Sequence, residues 1–224
     1  NIISFVSALK LKQNNMVKLP VVVYNLQEGL PVLQLTDDSR NQIQTLILAP
    51  TRELCVQISN DLKNFAKYTK VKVVPVYGGE SIIRQFKDLD VQPQILVATP
   101  GRLIDLIERK KVHLENVRFL VLDEADEMLN MGFKEDIERI FSEIPEDHRT
   151  LLFSATMPRE IANIAKNYMK NHVEIAIGKK NSGSENVSHI YYMVAAKNRY
   201  ACLKRVVDLN PDIYGIVFCR TRQE

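Results

Sequence analysis

Three carboxylates fall within four residues where the apolar run Phe119-Leu120-Val121-Leu122 gives way to Asp123-Glu124-Ala125-Asp126. At the carboxyl end of a parallel strand, the first acid can hold a hydrated Mg²⁺, an ion that keeps several waters and takes few protein ligands. The second can accept a proton from an attacking water. Taken alone, such a cluster also serves as a solvated turn or as the negative start of a helix. A second apolar run closes in Phe153-Ser154-Ala155-Thr156, with two hydroxyls two residues apart. These can bond neighbouring acids and transmit their state, or cap a helix ahead of Pro158.

Two further segments share a plan. In Ala49-Pro50-Thr51-Arg52-Glu53-Leu54 and in Ala98-Thr99-Pro100-Gly101-Arg102, an apolar run is followed by Pro, Thr and Arg. Free N–H groups at a helix start, with one guanidinium, make a phosphate seat. Gly78-Gly79 lets backbone approach a ligand closely. Three such places on one sheet can track a sugar–phosphate backbone without reading bases. Ordinary capping and turn chemistry explains any one of them by itself.

These groups need short buried strands to present them. β-branched and apolar runs predict strands at 44–49, 71–76, 94–98, 119–122 and 150–153, with Pro75 a non-donor near the end of the second. Between them, Leu54, Ile58, Leu62 and Phe65 recur at helical spacing, and residues 81–89 read as a short helix. Thr99 is expected as an N-cap with Pro100 at the first helical position. Pro158 opens a helix with Ile161, Ile164, Ala165 and Tyr168 on one face. A last strand is expected at 173–177. This alternation implies an α/β fold, a parallel sheet with helices on both faces. Ligands bind such sheets at the carboxyl ends of the strands.

The polar, small stretch 178–187 reads as an interdomain linker. The pattern then restarts with a strand at 190–194, a helix at 197–209 and a strand at 213–218. The expected organisation is an atypical segment at 1–40, a domain at 41–177, the linker, and the start of a truncated second domain at 188–224. Within 1–40, Ile2, Ile3, Val6 and Leu9 fit one helical face, 18–25 is strand-like, and 29–33 begins a helix.

The chain has 224 residues, enough for one well-buried domain and part of another. Its 46% apolar and 25% charged residues are ordinary for a globular protein. No run of 18 apolar residues occurs, so no membrane span is expected, and the N-terminus does not read as an export signal. The three cysteines, Cys55, Cys202 and Cys219, follow no disulfide or zinc spacing, which suits a reducing cytoplasm. A net charge of +3 and a pI near 8.7 are compatible with nucleic acid without arguing for it.

In their order along the chain, the segments resemble the DEAD-box family of ATP-dependent RNA helicases. Pro50-Thr51-Arg52-Glu53-Leu54 looks like motif Ia, and Gly78-Gly79 with Gln85 like the GG motif. Thr99-Pro100-Gly101-Arg102 matches the TPGR motif, Asp123-Glu124-Ala125-Asp126 motif II, and Ser154-Ala155-Thr156 motif III. Ile216-Val217-Phe218-Cys219 looks like motif IV. The run Met128-Leu129-Asn130-Met131-Gly132-Phe133 leans towards the bacterial members. The resemblance covers residues 43–223. It implies a RecA-like parallel sheet, the start of a second RecA-like domain, and ATP and Mg²⁺ as cofactors. It implies RNA as partner, a single strand or short duplex held by its backbone. Asp123, with Glu124 beside it, would hold Mg²⁺ through water, and Glu124 would orient and deprotonate the attacking water. Asp126 would join Ser154 and Thr156 in linking the nucleotide and RNA sites. Pro50, Thr51, Arg52, Gly78, Gly79, Thr99, Pro100, Gly101 and Arg102 would contact the RNA.

The sequence departs from that family in one place that matters for chemistry. No G-x-x-x-x-G-K-[ST] loop occurs among its eight glycines, and the sole Gly-Lys pair, Gly178-Lys179, lies in the linker. The family places its loop ahead of a helix like 29–34, where residues 19–28 here hold neither a glycine nest nor a loop lysine. The adenine-reading Gln motif is not recognisable beyond a remnant at Leu11 to Gln13, and 1–28 looks substituted and shortened, as a shifted or rearranged reading frame would produce. Motifs V and VI, with the arginine finger, are expected past Glu224. The resulting expectation is a helicase fragment without ATPase or unwinding of its own. A non-catalytic RNA-backbone-binding module and an inactive gene remnant are the competing readings.

Overall fold

Residues that alternate between two buried faces need a sheet covered on both sides, and the chain builds one. The computed structural model describes residues 22–169, 172–175, 190–217 and 219. Strands β1 (Thr45–Leu48), β2 (Val73–Val76), β3 (Ile95–Ala98), β4 (Phe119–Leu122) and β5 (Arg149–Leu152) form one parallel sheet in the order β2-β3-β1-β4-β5. Val76, Ala98, Leu48, Leu122 and Leu152 lie opposite one another across it. All five strands therefore release the chain along one line, at the edge where each motif begins.

Helices α1 (Val22–Leu35), α2 (Arg52–Phe65), α3 (Ile82–Leu89), α4 (Pro100–Glu108), α5 (Ala125–Asn130), α6 (Lys134–Glu143) and α7 (Arg159–Tyr168) intervene or flank. Leu46, Leu48, Leu96, Leu120 and Leu122 point to one face, against Leu103, Met128, Ile137, Ile140, Ile161 and Ile164. Ile47, Ile95, Val97 and Val121 point to the other, against Val32, Cys55, Ile58 and Leu62. The Cys55 thiol lies 3.2 Å from the Val97 carbonyl, and burial pushes its pKa up to about 12. At the opposite end of the strands, the Gln44 and Gln94 amides are buried. Gln44 Nε2 donates to the Asp37 carbonyl (2.7 Å) and Gln94 Nε2 to the Arg40 carbonyl (2.9 Å), which ties the incoming loop to the sheet.

The strand-like reading of 18–25 is not borne out where it can be compared. Residues 22–25 belong to α1, while 18–21 and the apolar positions at 2–9 lie outside the described residues. Packing explains the difference: Val32 is buried against α2, and a methyl added at Gly29 would come 2.7 Å from Leu62 Cδ2. That tertiary contact overrides the β-propensity of a valine run. Pro75 is tolerated because β2 is an edge strand. The Lys72 carbonyl accepts from Ile95 and the Val76 carbonyl from Thr99, just past β3, so by alternation Pro75 faces the open side, where its missing N–H disrupts no ladder.

The chain divides into two compact units, 1–181 and 182–224. In the first, 172–175 is not a strand and leaves Val173 and Ile175 more than half exposed; 176–177 lies outside the described residues. In the second, the expected helix is present as α8 (Arg199–Leu209), preceded by a 3-10 turn at Ala196–Asn198. The strands expected at 190–194 and 213–218 are absent from 190–194 and 213–217. A strand exists only through its pairing, and among the described residues these apolar runs have no neighbouring strand. Among the described residues, no helix is long and apolar enough to cross a membrane.

Because β1 is the central strand and Leu46 is fully buried, Leu46→Ala should lower the unfolding free energy by about 2–5 kcal/mol. Urea denaturation checks this; a loss well under 1 kcal/mol would mean that the sheet centre is not the core.

Candidate functional site

Where β4 ends, the Asp123 N–H donates to the Leu48 carbonyl (3.0 Å) and the Phe153 N–H to the Leu122 carbonyl (2.8 Å). The Ala125 N–H then donates to the Phe153 carbonyl (3.0 Å), so the tips of β4 and β5 are stitched together past the last strand residue. Glu124 takes a left-handed conformation (φ 50°, ψ 49°) at the N-cap position of α5. This is unusual for a side chain that is neither glycine nor asparagine, and such strain concentrates at functional turns. The bend leaves Asp123 only 9% exposed, turns Glu124 outwards, and starts α5 so that Asp126 faces β5.

Asp126 meets both hydroxyl residues of the next strand tip. Its Oδ2 accepts from Thr156 Oγ1 (2.7 Å) and from the Thr156 N–H (2.9 Å). Its own N–H donates to Ser154 Oγ (3.3 Å), which donates in turn to the Thr156 carbonyl (2.7 Å). The cap reading of Ser154-Ala155-Thr156 is thereby displaced: α7 starts after Pro158 without a side-chain cap. Burial opposes ionisation of Asp126, but the hydrogen bonds from Thr156 and Ser154 outweigh it and hold the carboxyl below its ordinary value. Glu124 moves the other way. Partial desolvation, then the carboxylates of Asp123, Glu127 and Asp126, raise its pKa, which makes it a better proton acceptor than a free glutamate.

The donor set fits part of a nucleotide site. Asp123 and Glu124 suit a hydrated Mg²⁺ whose remaining ligands are waters and phosphate oxygens. Among the described residues no group of three or more metal-binding side chains gathers. The phosphate-holding half is not matched, because the sequence contains no G-x-x-x-x-G-K-[ST] loop.

The other three strand tips form a cationic and glycine-rich group. Thr51 caps α2, its hydroxyl accepting from the Leu54 N–H (3.3 Å). The Arg52 guanidinium lies 5.0 Å above the Tyr77 ring. Arg102 is tied down by Gln85 Oε1 (2.8 Å) and the Glu80 carbonyl (3.1 Å). Gln85, 2% exposed, donates to the Tyr77 carbonyl (3.0 Å), so one buried amide joins α3, α4 and the turn after β2. Gly79 has φ +76°, and a Cβ there would meet nothing nearer than Arg52 Nη1 at 3.9 Å. The backbone conformation, not crowding, asks for glycine. Gly78, Gly79 and Gly101 are exposed, whereas Pro50, Thr99 and Pro100 are buried at the strand exits. Thr99 holds the N-cap position of α4, but its hydroxyl makes no cap bond; its backbone is engaged instead, with the N–H on the Val76 carbonyl and the C=O on the Leu103 N–H.

The predicted residues thus share one sheet edge in two groups, acids and hydroxyls at β4–β5 and arginines and glycines at β2–β3–β1. Four strand spacings separate the outer tips, about 19 Å. Tyr77 and Glu80 belong to the second group and were not singled out from sequence; their position flanking Gly78-Gly79 is the signal that could have found them.

A lowered carboxyl pKa contributes stability that is present above the unfolded value and lost as pH falls through the folded one. Thr156→Val should therefore raise the Asp126 pKa in a carbon-13 NMR titration and move acid unfolding to higher pH. An unchanged Asp126 titration would show that the hydroxyl bond does not hold the carboxylate. Gln85→Leu strips a partner from Arg102 and from the Tyr77 carbonyl. A loss of about 1–3 kcal/mol is expected in denaturant unfolding; no loss would remove Gln85 as the joint of this group.

The DEAD/DEAH box helicase family model matches residues 28–164, more than half of the chain. The chain is 44% identical over 195 residues to the DEAD-box ATP-dependent RNA helicase CshA of Bacillus cereus, covering 87% of this chain and 37% of that protein. To CshA of Bacillus subtilis it is 42% identical, with 87% and 40% covered. The chain thus spans about two fifths of the length of the curated relatives it matches. Among solved structures, a DEAD box protein from Methanococcus jannaschii superposes with a TM-score of 0.66 at 40% identity, over 89% of this chain and 53% of that one. A hypothetical ATP-dependent RNA helicase from Sulfolobus tokodaii gives 0.61 at 34% identity, over 67% and 43%. The sheet is therefore a RecA-like helicase domain, and the chain belongs to the DEAD/DEAH box helicase family.

Proposed function

We propose that this chain is the RNA-gripping and water-activating part of an ATP-dependent RNA helicase, and that by itself it holds RNA without hydrolysing ATP. The observation that carries this reading is the bonded link of Asp126 to Ser154 and Thr156, on the sheet edge that also bears Arg52 and Arg102. In this reading Arg52, Arg102, Gly78, Gly79, Thr51, Thr99, Gly101 and the flanking Pro50 and Pro100 follow the sugar–phosphate backbone of a single strand or short duplex. Contacts of that kind grip without selecting a base sequence.

A bound ATP–Mg²⁺ complex would supply the phosphoryl group and the charge that polarises it. Toward that complex, Asp123 offers a carboxylate for a water-mediated metal contact, and Glu124 takes the proton of the attacking water at its raised-pKa carboxylate. Asp126 couples the β4 tip to the β5 tip, so that a displacement of one moves the other. Phosphoryl transfer rests on positioning and charge neutralisation. The sequence has no loop to hold the β- and γ-phosphates, and on that ground these 224 residues are proposed to be silent as an ATPase. Residues 188–224 are proposed as the start of a second RecA-like domain joined through 178–187. The setting is the cytoplasm.

Fluorescence anisotropy with a labelled oligoribonucleotide, paired with a phosphate-release assay, tests both halves. RNA affinity should fall with salt and with Arg52→Gln or Arg102→Gln, and should not respond to ATP. Phosphate release should not exceed that of Glu124→Gln. RNA-stimulated release that disappears in Glu124→Gln would overturn the catalytic silence. Failure to bind RNA at low salt would overturn the RNA reading in favour of an inert remnant.

A further inference from the structure

The arginines of the second group surround an acid. Glu80 follows Gly79 directly, and one carboxylate oxygen lies 3.9 Å from Arg52 Nη2 while the other lies 3.9 Å from Arg84 Nη1. Its backbone carbonyl accepts from Arg102 Nη2 at 3.1 Å. Guanidinium groups from α2, α3 and α4 thus converge on one residue.

The three arginines are not held alike. Arg102 makes two direct hydrogen bonds. The carboxylate contacts of Arg52 and Arg84 exceed the roughly 2.7–2.9 Å of a charge-assisted hydrogen bond. The Arg52 and Arg84 side chains are 49% and 71% exposed, against 26% for Glu80. Exposed ion pairs of that length are weak and easily exchanged. Glu80 therefore acts as a loosely held counter-ion between two guanidinium groups, whose planar forks suit a phosphate diester as well as a carboxylate. Beyond it, a groove of about 450 Å³ runs along the open edge of β2, lined by Lys63, Pro75, Tyr77, Arg84 and Lys87 along with Glu80 and Asp88. That volume falls within the range of clefts that take a small ligand.

We propose that Arg84, together with Arg52, forms a further RNA phosphate subsite next to Gly79, and that the Glu80 carboxylate occupies this seat in the free protein and yields it to an RNA phosphate. The inference rests on the RNA reading given above. It makes Glu80 a determinant of affinity: the displaced carboxylate stays close to the incoming phosphate, so RNA binding is weaker than the cations alone would give.

The test is anisotropy of a fluorescein-labelled single-stranded oligouridylate across a salt series, on the full chain. Glu80→Gln keeps the backbone carbonyl that Arg102 needs and removes only the charge. It should tighten binding several-fold. Arg84→Gln should weaken binding several-fold and flatten the dependence of log affinity on log salt by about 0.7, the contribution of one phosphate on a single strand. Glu80→Gln binding no tighter than the unsubstituted chain, or Arg84→Gln leaving affinity and slope unchanged, would overturn the subsite. If Arg52→Gln and Arg102→Gln weaken binding while Glu80→Gln does not tighten it, this inference alone fails. If the unsubstituted chain does not bind the oligouridylate, the RNA reading fails with it.

Discussion

Backbone hydrogen bonds that keep five parallel strands level with one another decide where this chain can place chemical groups. Each strand is four residues long, and each ends opposite its neighbour. A slip of one residue would turn a buried leucine row to the other face and move an acid or arginine out of line. The two apolar faces forbid that slip, so the core and the site share one constraint. Leu48 shows this: its side chain packs in the core while its carbonyl receives the Asp123 N–H.

Past the strand ends, the two groups are held by different means. The acid group is held by hydrogen bonds, with Asp126 joined to Thr156 and Ser154 and a strained Glu124 turned outwards beside it. In the arginine group, Arg102 is anchored through the buried Gln85 amide, while Arg52 rests on Tyr77 and meets Glu80 only at ion-pair distance. Under the proposed function this division suits each group: a flexible polymer is better met by one fixed cation and others free to adjust, and one water is better placed by fixed groups.

Much of this was legible in the residues. Strands buried on both faces, such as β1, β3 and β4, read as unbroken apolar runs. All five observed strands were found within about two residues, the partly buried β5 among them, while the strand expected at 173–177 is not one over 173–175. The motifs followed because each stands where such a run stops. What could not be read were outcomes of pairing and packing. Val22 to Tyr24 have the composition of a strand, yet they open a helix whose later residues Gly29 and Val32 pack on α2. Residues 190–194 and 213–217 carry an apolar pattern, yet a pattern is not a ladder. Taken alone, Ser154 and Thr156 read as helix caps before they read as partners of an acid, and only the stitching of β4 to β5 reverses that order. Glu80 escaped notice because an acid in a turn is unremarked until its neighbours are known.

Cys55 has a use of its own. It lies in the first turns of α2 beneath Thr51 and Arg52, pressed against the β3 backbone, with its thiol far too high in pKa to form thiolate near neutrality. Alkylating reagents cannot modify it while the helix stays seated. Its rate of labelling is therefore a native clock for how often α2 lifts from the sheet, readable by mass spectrometry without placing a foreign dye in the protein.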